Sequence, residues 1–273
     1  MKTTIKLLAI TAFMAISCNS DSDVTNNNGN NQDTSISADV KAQIIEEDVD
    51  GIKEEVLSAN GYYASKNELQ LPPSNCRTIT QETLTDGGKK FKVDYGTGCI
   101  DTQGNNRTGI IYIVVHNNTT TGIINAAITF DNYYINSNKV EGTIDVTRQV
   151  IDNIPTHTRN TDISIIQPAN GGTIHRTGDF TIEKIAGAST PLVFTDDVFS
   201  IDGTATTTMA NGTLLQMEIT EPLIRDLSCG NITKGKKTLV RNLQTYILNY
   251  GSGACDNVAI LTLPDGTQLT INI

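Results

Sequence analysis

The residues able to do chemistry are few and scattered. Three histidines, His116, His157 and His175, stand far apart along the chain, and their spacing matches no zinc-ligand signature. Asp196-Asp197, with Asp202 beyond, offers oxygens of the kind Ca²⁺ takes. The alternating acids and closing bidentate Glu of an EF-hand loop are absent, however, and an acidic turn accounts for the cluster. Ser252 in "GSGAC" lies between glycines but lacks the G-x-S-x-G spacing of a nucleophile elbow. No phosphate-cradling G-x-x-x-x-G-K-[ST] occurs. With 30 acids in the chain, a carboxylate pair at a glycosidase separation of about 5–10 Å stays open to the fold. The aromatics available for a glycan- or peptide-binding face are Tyr112, Phe130, Tyr133, Tyr134 and Phe199. Alternation along a strand sends Phe130 and Tyr134 to one side and Tyr133 to the other, so Phe130 and Tyr134 are the expected binding pair. Neither a metal nor a cofactor is expected.

The cysteines speak more clearly, about location. Lys2 and Lys6 precede an apolar run from Leu7 to Ile16. That run is shorter than the roughly 20 residues a membrane-spanning helix needs, and it fits the core of a secretory leader over residues 1–17. Ala15-Ile16-Ser17-Cys18 resembles a bacterial lipobox, with Ile16 a departure from its usual small residue. Lipidation at Cys18 is the implied modification, and more than one acyl chain gives stable anchoring. Five cysteines would leave one thiol over. With Cys18 lipidated, Cys76, Cys99, Cys229 and Cys255 remain for disulfides. Three connectivities are possible; the simplest is local, Cys76–Cys99 and Cys229–Cys255.

Residues 18–37 carry acids, Asn and Ser but no Lys or Arg, a composition that cannot bury enough apolar surface to order itself. They are expected to form a flexible acidic tether. Asp21 and Asp23 resemble the acidic export signal of surface lipoproteins of the Bacteroidetes type, which implies an outward-facing position. Losing Lys2 and Lys6 lowers the basic count from 20 to 18 against 30 acids. The mature chain is therefore near −12, which argues against a nucleic-acid partner.

These signals need elements to position them. Residues 38–60 are expected to be helical, with Val40, Ile44, Val49, Ile52 and Val56 on one face. Ser37 or Asp39 is a candidate cap, and Gly51 a candidate break into two helices. From about residue 61 onward the chain reads as an antiparallel β domain, a sandwich or a curved open sheet. Phe91/Val93/Tyr95, Val140/Ile144/Val146 and Leu215/Met217/Ile219 each alternate with polar residues, and "GIIYIVVH" is apolar on both faces, as in a central strand. Asp265-Gly266 suits a tight hairpin turn near the end.

A faint repeat links two β modules, about residues 76–150 and 172–273. In each, a cysteine pair brackets an aromatic-led strand and a Tyr-Gly-(Thr/Ser)-Gly turn, "FKVDYGTGC" and "YILNYGSGAC". "TFDNYYINSNKVEGT" likewise echoes "FTDDVFSIDGT".

Those stretches, with "GIIYIVV" and "LNYGSGACDNVAILTLPDG", resemble a group of uncharacterised Bacteroidetes-type surface lipoproteins. The resemblance implies location and fold, with no activity to carry over; unlike the aromatic-rich group, this chain has no Trp. The expectation is a lipid-anchored outer-membrane module that binds a glycan or protein partner without catalysis. The alternatives are an extracellular carboxylate-dependent hydrolase and a structural envelope component.

Overall fold

The computed structural model describes residues 34–62, 76–101, 104–168, 171–190, 193–229 and 231–273. The expected leader, Cys18 and the expected tether as far as residue 33 lie outside them. One helix, α1 (Thr34–Ala59), precedes fourteen strands. They are β1 (Thr78–Thr83), β2 (Lys89–Asp94), β3 (Cys99–Ile100), β4 (Asn106–Asn118), β5 (Ile123–Ile135), β6 (Asn138–Ile151), β7 (Ile154–Ile166), β8 (Thr173–Ala186), β9 (Val198–Met209), β10 (Leu214–Asp226), β11 (Asn231–Arg241), β12 (Gln244–Ser252), β13 (Val258–Thr262) and β14 (Gln268–Asn272).

All fourteen strands join one antiparallel sheet in which each pairs with its sequence neighbour, except that β2 pairs with β4 and β3 hangs off β4. The sheet curls but does not close into a barrel. Short hairpins force this order, because an antiparallel neighbour needs only a tight turn. Three turns, at Asn136-Ser137, Asp152-Asn153 and Asn242-Leu243, have positive φ at both central residues, the twist that matches two-residue hairpins. The last hairpin differs from expectation: of Asp265 and Gly266, only Gly266 has positive φ (84°), and the loop runs from Leu263 to Thr267.

Curvature comes from glycines inside strands. A Cβ on Gly109, Gly142 or Gly203 would lie 1.9, 2.2 and 2.2 Å from the backbone oxygen of Asn132, Asp162 and Asp179 respectively. Each has positive φ, so two backbones approach where no side chain fits, and the sheet coils there.

α1 lies along the concave face, with 17 of its 26 residues buried. It starts at Thr34, four residues before the expected boundary, so Thr34–Ser37 are helix and not tether. Asp39 is consequently inside the helix and caps nothing. The helix runs unbroken through Gly51, where the missing side chain makes room for Arg225, whose Nη2 would stand 3.4 Å from a Cβ. It ends in a Schellman motif: Tyr62 N–H donates to Leu57 O at 3.1 Å, and Gly61 N–H to Ser58 O at 3.0 Å. Ile44, assigned to the apolar face, is 43% exposed. Ile36, Ile45 and Leu57 join Val40, Val49, Ile52 and Val56 in burial, each contributing about 1.5–3 kcal/mol by leaving water. Ile36 and Val40 enter one apolar cluster with β8–β14, while Ile45 to Leu57 enter another with β2–β8.

Candidate functional site

Between those two apolar clusters runs a belt of buried charge. The acids and amide of α1 at 39, 43, 46, 47 and 50 recur at helical spacing and face the middle of the sheet. Their partners are cations at inward strand positions. Arg176, wholly buried, donates from Nε to Glu46 Oε2 at 2.8 Å and from Nη1 to Asp39 and to Thr207 Oγ1. Lys237 donates to Asp39 Oδ2 at 2.7 Å and Gln43 Oε1 at 2.5 Å, and Tyr250 O–H donates to the same Gln43 oxygen. Arg159 donates to Glu47 Oε1 at 2.9 Å and lies 4.7 Å from the Phe180 ring centre. Arg107 grips both oxygens of Asp48 at 2.6 Å and also bonds Asp101 and the Tyr133 hydroxyl.

Burial alone would raise the Asp39 carboxyl, but the charges of Lys237 and Arg176 outweigh it and hold it far below the ordinary range. Lys237 stays above its usual value because Asp39 outweighs its own desolvation. Burial raises the Tyr133 and Tyr250 hydroxyls, keeping both neutral; Tyr133 accepts from Arg107 and Tyr250 donates to Gln43. Pairs of this kind add little net stability over an apolar core, yet losing one partner strands a buried charge. The belt fixes where the helix sits.

At the C-terminal half of α1 the belt ends in Asp50, Lys53, Glu54 and His157. Lys53 Nζ lies 2.7 Å from Asp50 Oδ1 and 2.9 Å from Glu54 Oε1. Burial would raise the Asp50 and Glu54 carboxyls, but Lys53 and His157 together, with Arg159 also acting on Asp50, outweigh it and lower both. His157 packs against Phe199 in an edge contact with ring centres 6.4 Å apart. Its buried Nε2 has no hydrogen-bond partner and lies 3.7 Å from Asp50 Oδ2.

The outer face carries a groove of about 780 Å³ across β7–β10. Thr158, Asn160, Thr181 and Ser200 line it with hydroxyls and an amide, Asp179, Glu183 and Asp202 with carboxylates, and no lining residue is basic. Two local features shape it: the strained approach of Gly203 to Asp179, and a bulge where β10 slips against β9 between Glu218 and Leu223. No family model, curated protein or solved structure matches this chain. Its functional reading therefore rests on its own residues.

The aromatic pair expected from alternation does not share a face. β5 bulges between Thr129 and Tyr133 against β6, with Asn132 at φ 46°, and the slip shifts the parity of every later residue. Phe130 and Tyr133 therefore stack inside, ring centres 5.8 Å apart. Tyr134 turns to the other side, in register with Lys139. Phe199 is core, and Tyr112 lies half-buried under Lys90.

Of the histidines, His116 and His175 are exposed and face Asp86 and Asp162. Asp197 pairs with Lys184 at 2.6 Å, and Asp196 accepts from Thr190 at 2.6 Å, while Asp202 faces the groove. The acidic cluster thus disperses. The disulfides are the local pair, Cys76–Cys99 and Cys229–Cys255. They bracket hairpins β1–β2 and β11–β12, so the first echo of the repeat is structural: Tyr95 and Tyr250 are both buried, and Gly96 and Gly251 both have positive φ. The second echo is not, since one copy spans a β-hairpin and the other a 3₁₀ turn leading into β9.

The sequence reading missed the belt, although a signal for it exists. Arg159, Arg176 and Lys237 share the parity of buried neighbours in their strands (Ile163, Ile174, Leu239). A cation on an inward row calls for an anion opposite, and α1 supplies acids at helical spacing.

Proposed function

We propose that this protein is a lipid-anchored, outward-facing envelope lipoprotein, akin to the uncharacterised Bacteroidetes-type group, that binds a glycan of neutral or amino sugars without catalysis. One observation carries the binding reading: α1 fills the hollow of the curved sheet with ion pairs and aliphatic side chains, while a polar groove lies open on the outer face. Carboxylates, Asn and hydroxyls on rigid strands suit a hydroxyl-rich ligand, and three acids without a base disfavour an anionic one. The Cys18 leader signature supports the anchor. Two disulfides fit export to an oxidising compartment.

Two measurements test this reading. Cys18→Ala is expected to move the protein from the membrane to the soluble fraction; unchanged membrane association refutes the anchor. On an array of neutral, amino and acidic glycans, binding is expected to concentrate in the first two classes and to fall at least tenfold in Asp202→Ala. Binding indifferent to that change refutes the groove as the site.

A further inference from the structure

The cluster at the C-terminal half of α1 has the donors of a metal centre. Asp50 and Glu54, one turn apart, and His157 from β7 each offer a ligand atom, and the three atoms lie within 4.8 Å of one another. An ion with bonds of about 2.0–2.2 Å holds tetrahedral ligand atoms about 3.5 Å apart, so the donors close in by side-chain rotation when it binds. Two independent features point to a cation there. The first is that the fold already places one: the Lys53 ammonium sits 2.7 and 2.9 Å from the two carboxylates. The second is His157, 4% exposed, whose Nε2 has no hydrogen-bond partner and faces Asp50 Oδ2 across 3.7 Å. That separation is too long for a hydrogen bond, and a buried polar atom left so is rare in a folded protein.

We propose that Asp50, Glu54 and His157 form a site for a divalent transition-metal ion of the Zn²⁺ class, with Lys53 as a resident cation that the metal displaces. One imidazole and two carboxylates make a borderline donor set that suits Zn²⁺ and Co²⁺ better than Ca²⁺ or Mg²⁺, which take oxygen. Glu54, with 13% of its side chain exposed, is the edge through which an ion enters. Lys53 swings from between the carboxylates as the ion arrives. The lysine makes the site weaker than its donors alone would be, so removing its charge tightens binding. A purely structural cluster responds in the opposite way, because Lys53→Met then strands two buried carboxylates and gains nothing from metal.

The test uses the full chain in detergent, stripped with EDTA and titrated with Zn²⁺ calorimetrically and with Co²⁺ by visible absorption. One ion per chain is expected, with a Co²⁺ d–d band. Lys53→Met is expected to bind at least tenfold more tightly than wild type, and to recover thermal stability on adding Zn²⁺. His157→Ala and Glu54→Gln are each expected to bind at least tenfold more weakly, and His116→Ala/His175→Ala to bind unchanged. Circular dichroism checks that each variant folds; should His157→Ala fail, Glu54→Gln at the rim decides. The proposal is overturned if neither wild type nor Lys53→Met binds saturably. Undiminished binding in Glu54→Gln or His157→Ala, or loss of binding in the surface double variant, overturns it equally.

Discussion

Replacing Asp39 by Asn tests whether the charged belt holds the helix. The side chain keeps its shape and its place beside Thr207, whose hydroxyl lies 3.0 Å away, but loses the charge that Arg176 and Lys237 share. All three charged residues are wholly buried. Arg176 keeps Glu46 and Thr207 and Lys237 keeps Gln43, and of these only Glu46 is charged. Removing one member of a buried charged group costs about 3–5 kcal/mol, and the surviving partners place the expected loss near about 3 kcal/mol. At about 2–4 °C per kcal/mol for a domain of this size, melting should fall by roughly 6–12 °C. Thermal and urea unfolding followed by circular dichroism measure it. The pH dependence follows with a defined sign. Asp39 has a folded pKa below its unfolded one, so its stabilisation is present above about pH 4 and fades as pH falls further towards the folded value. Wild type should therefore lose its advantage over Asp39→Asn progressively below about pH 4, with part of it still present at pH 2. A loss under about 1 kcal/mol at neutral pH, or an advantage that does not shrink between about pH 4 and pH 2, would refute the assignment of Asp39 as the shared anion of two buried cations.

Two further substitutions probe the backbone that shapes the sheet. Gly109→Ala puts a Cβ 1.9 Å from Asn132 O at φ 80°; strain and overpacking together should cost about 2–4 kcal/mol, and a urea midpoint near wild type would show that β4 and β5 do not approach so closely. Leu243→Gly acts in the opposite direction, because Leu243 is 97% exposed and holds φ 64° at a hairpin turn. Relief of left-handed strain should raise stability by about 1 kcal/mol, read as a higher melting temperature, and a decrease would mean that the leucine side chain contributes contacts.

Strand identity was legible because period-two patterning is local: Phe91/Val93/Tyr95, Val140/Ile144/Val146 and Leu215/Met217/Ile219 are buried as read. The helix was legible for the same reason, though the outward turn of Ile44 and the early start at Thr34 were not, since neighbouring strands decide which flank of a helix is covered. Local disulfides were the simplest of three pairings, and the structure selects them by bringing the ends of each hairpin together.

Residue types and their spacing along the chain determined the mainly β class, the N-terminal helix, the sequence-neighbour strand order and the leader signature around Cys18. Three features belonged to tertiary structure alone. The slip at Asn132 parts Phe130 from Tyr134, the helix lies inside the curl of the sheet, and Arg107, Arg159, Arg176 and Lys237 meet acids that are 59 to 198 residues away along the chain. A one-residue bulge reverses every later side chain, and a buried charge is tolerable only where its counter-charge arrives from elsewhere in the fold. Patterning within one strand encodes neither.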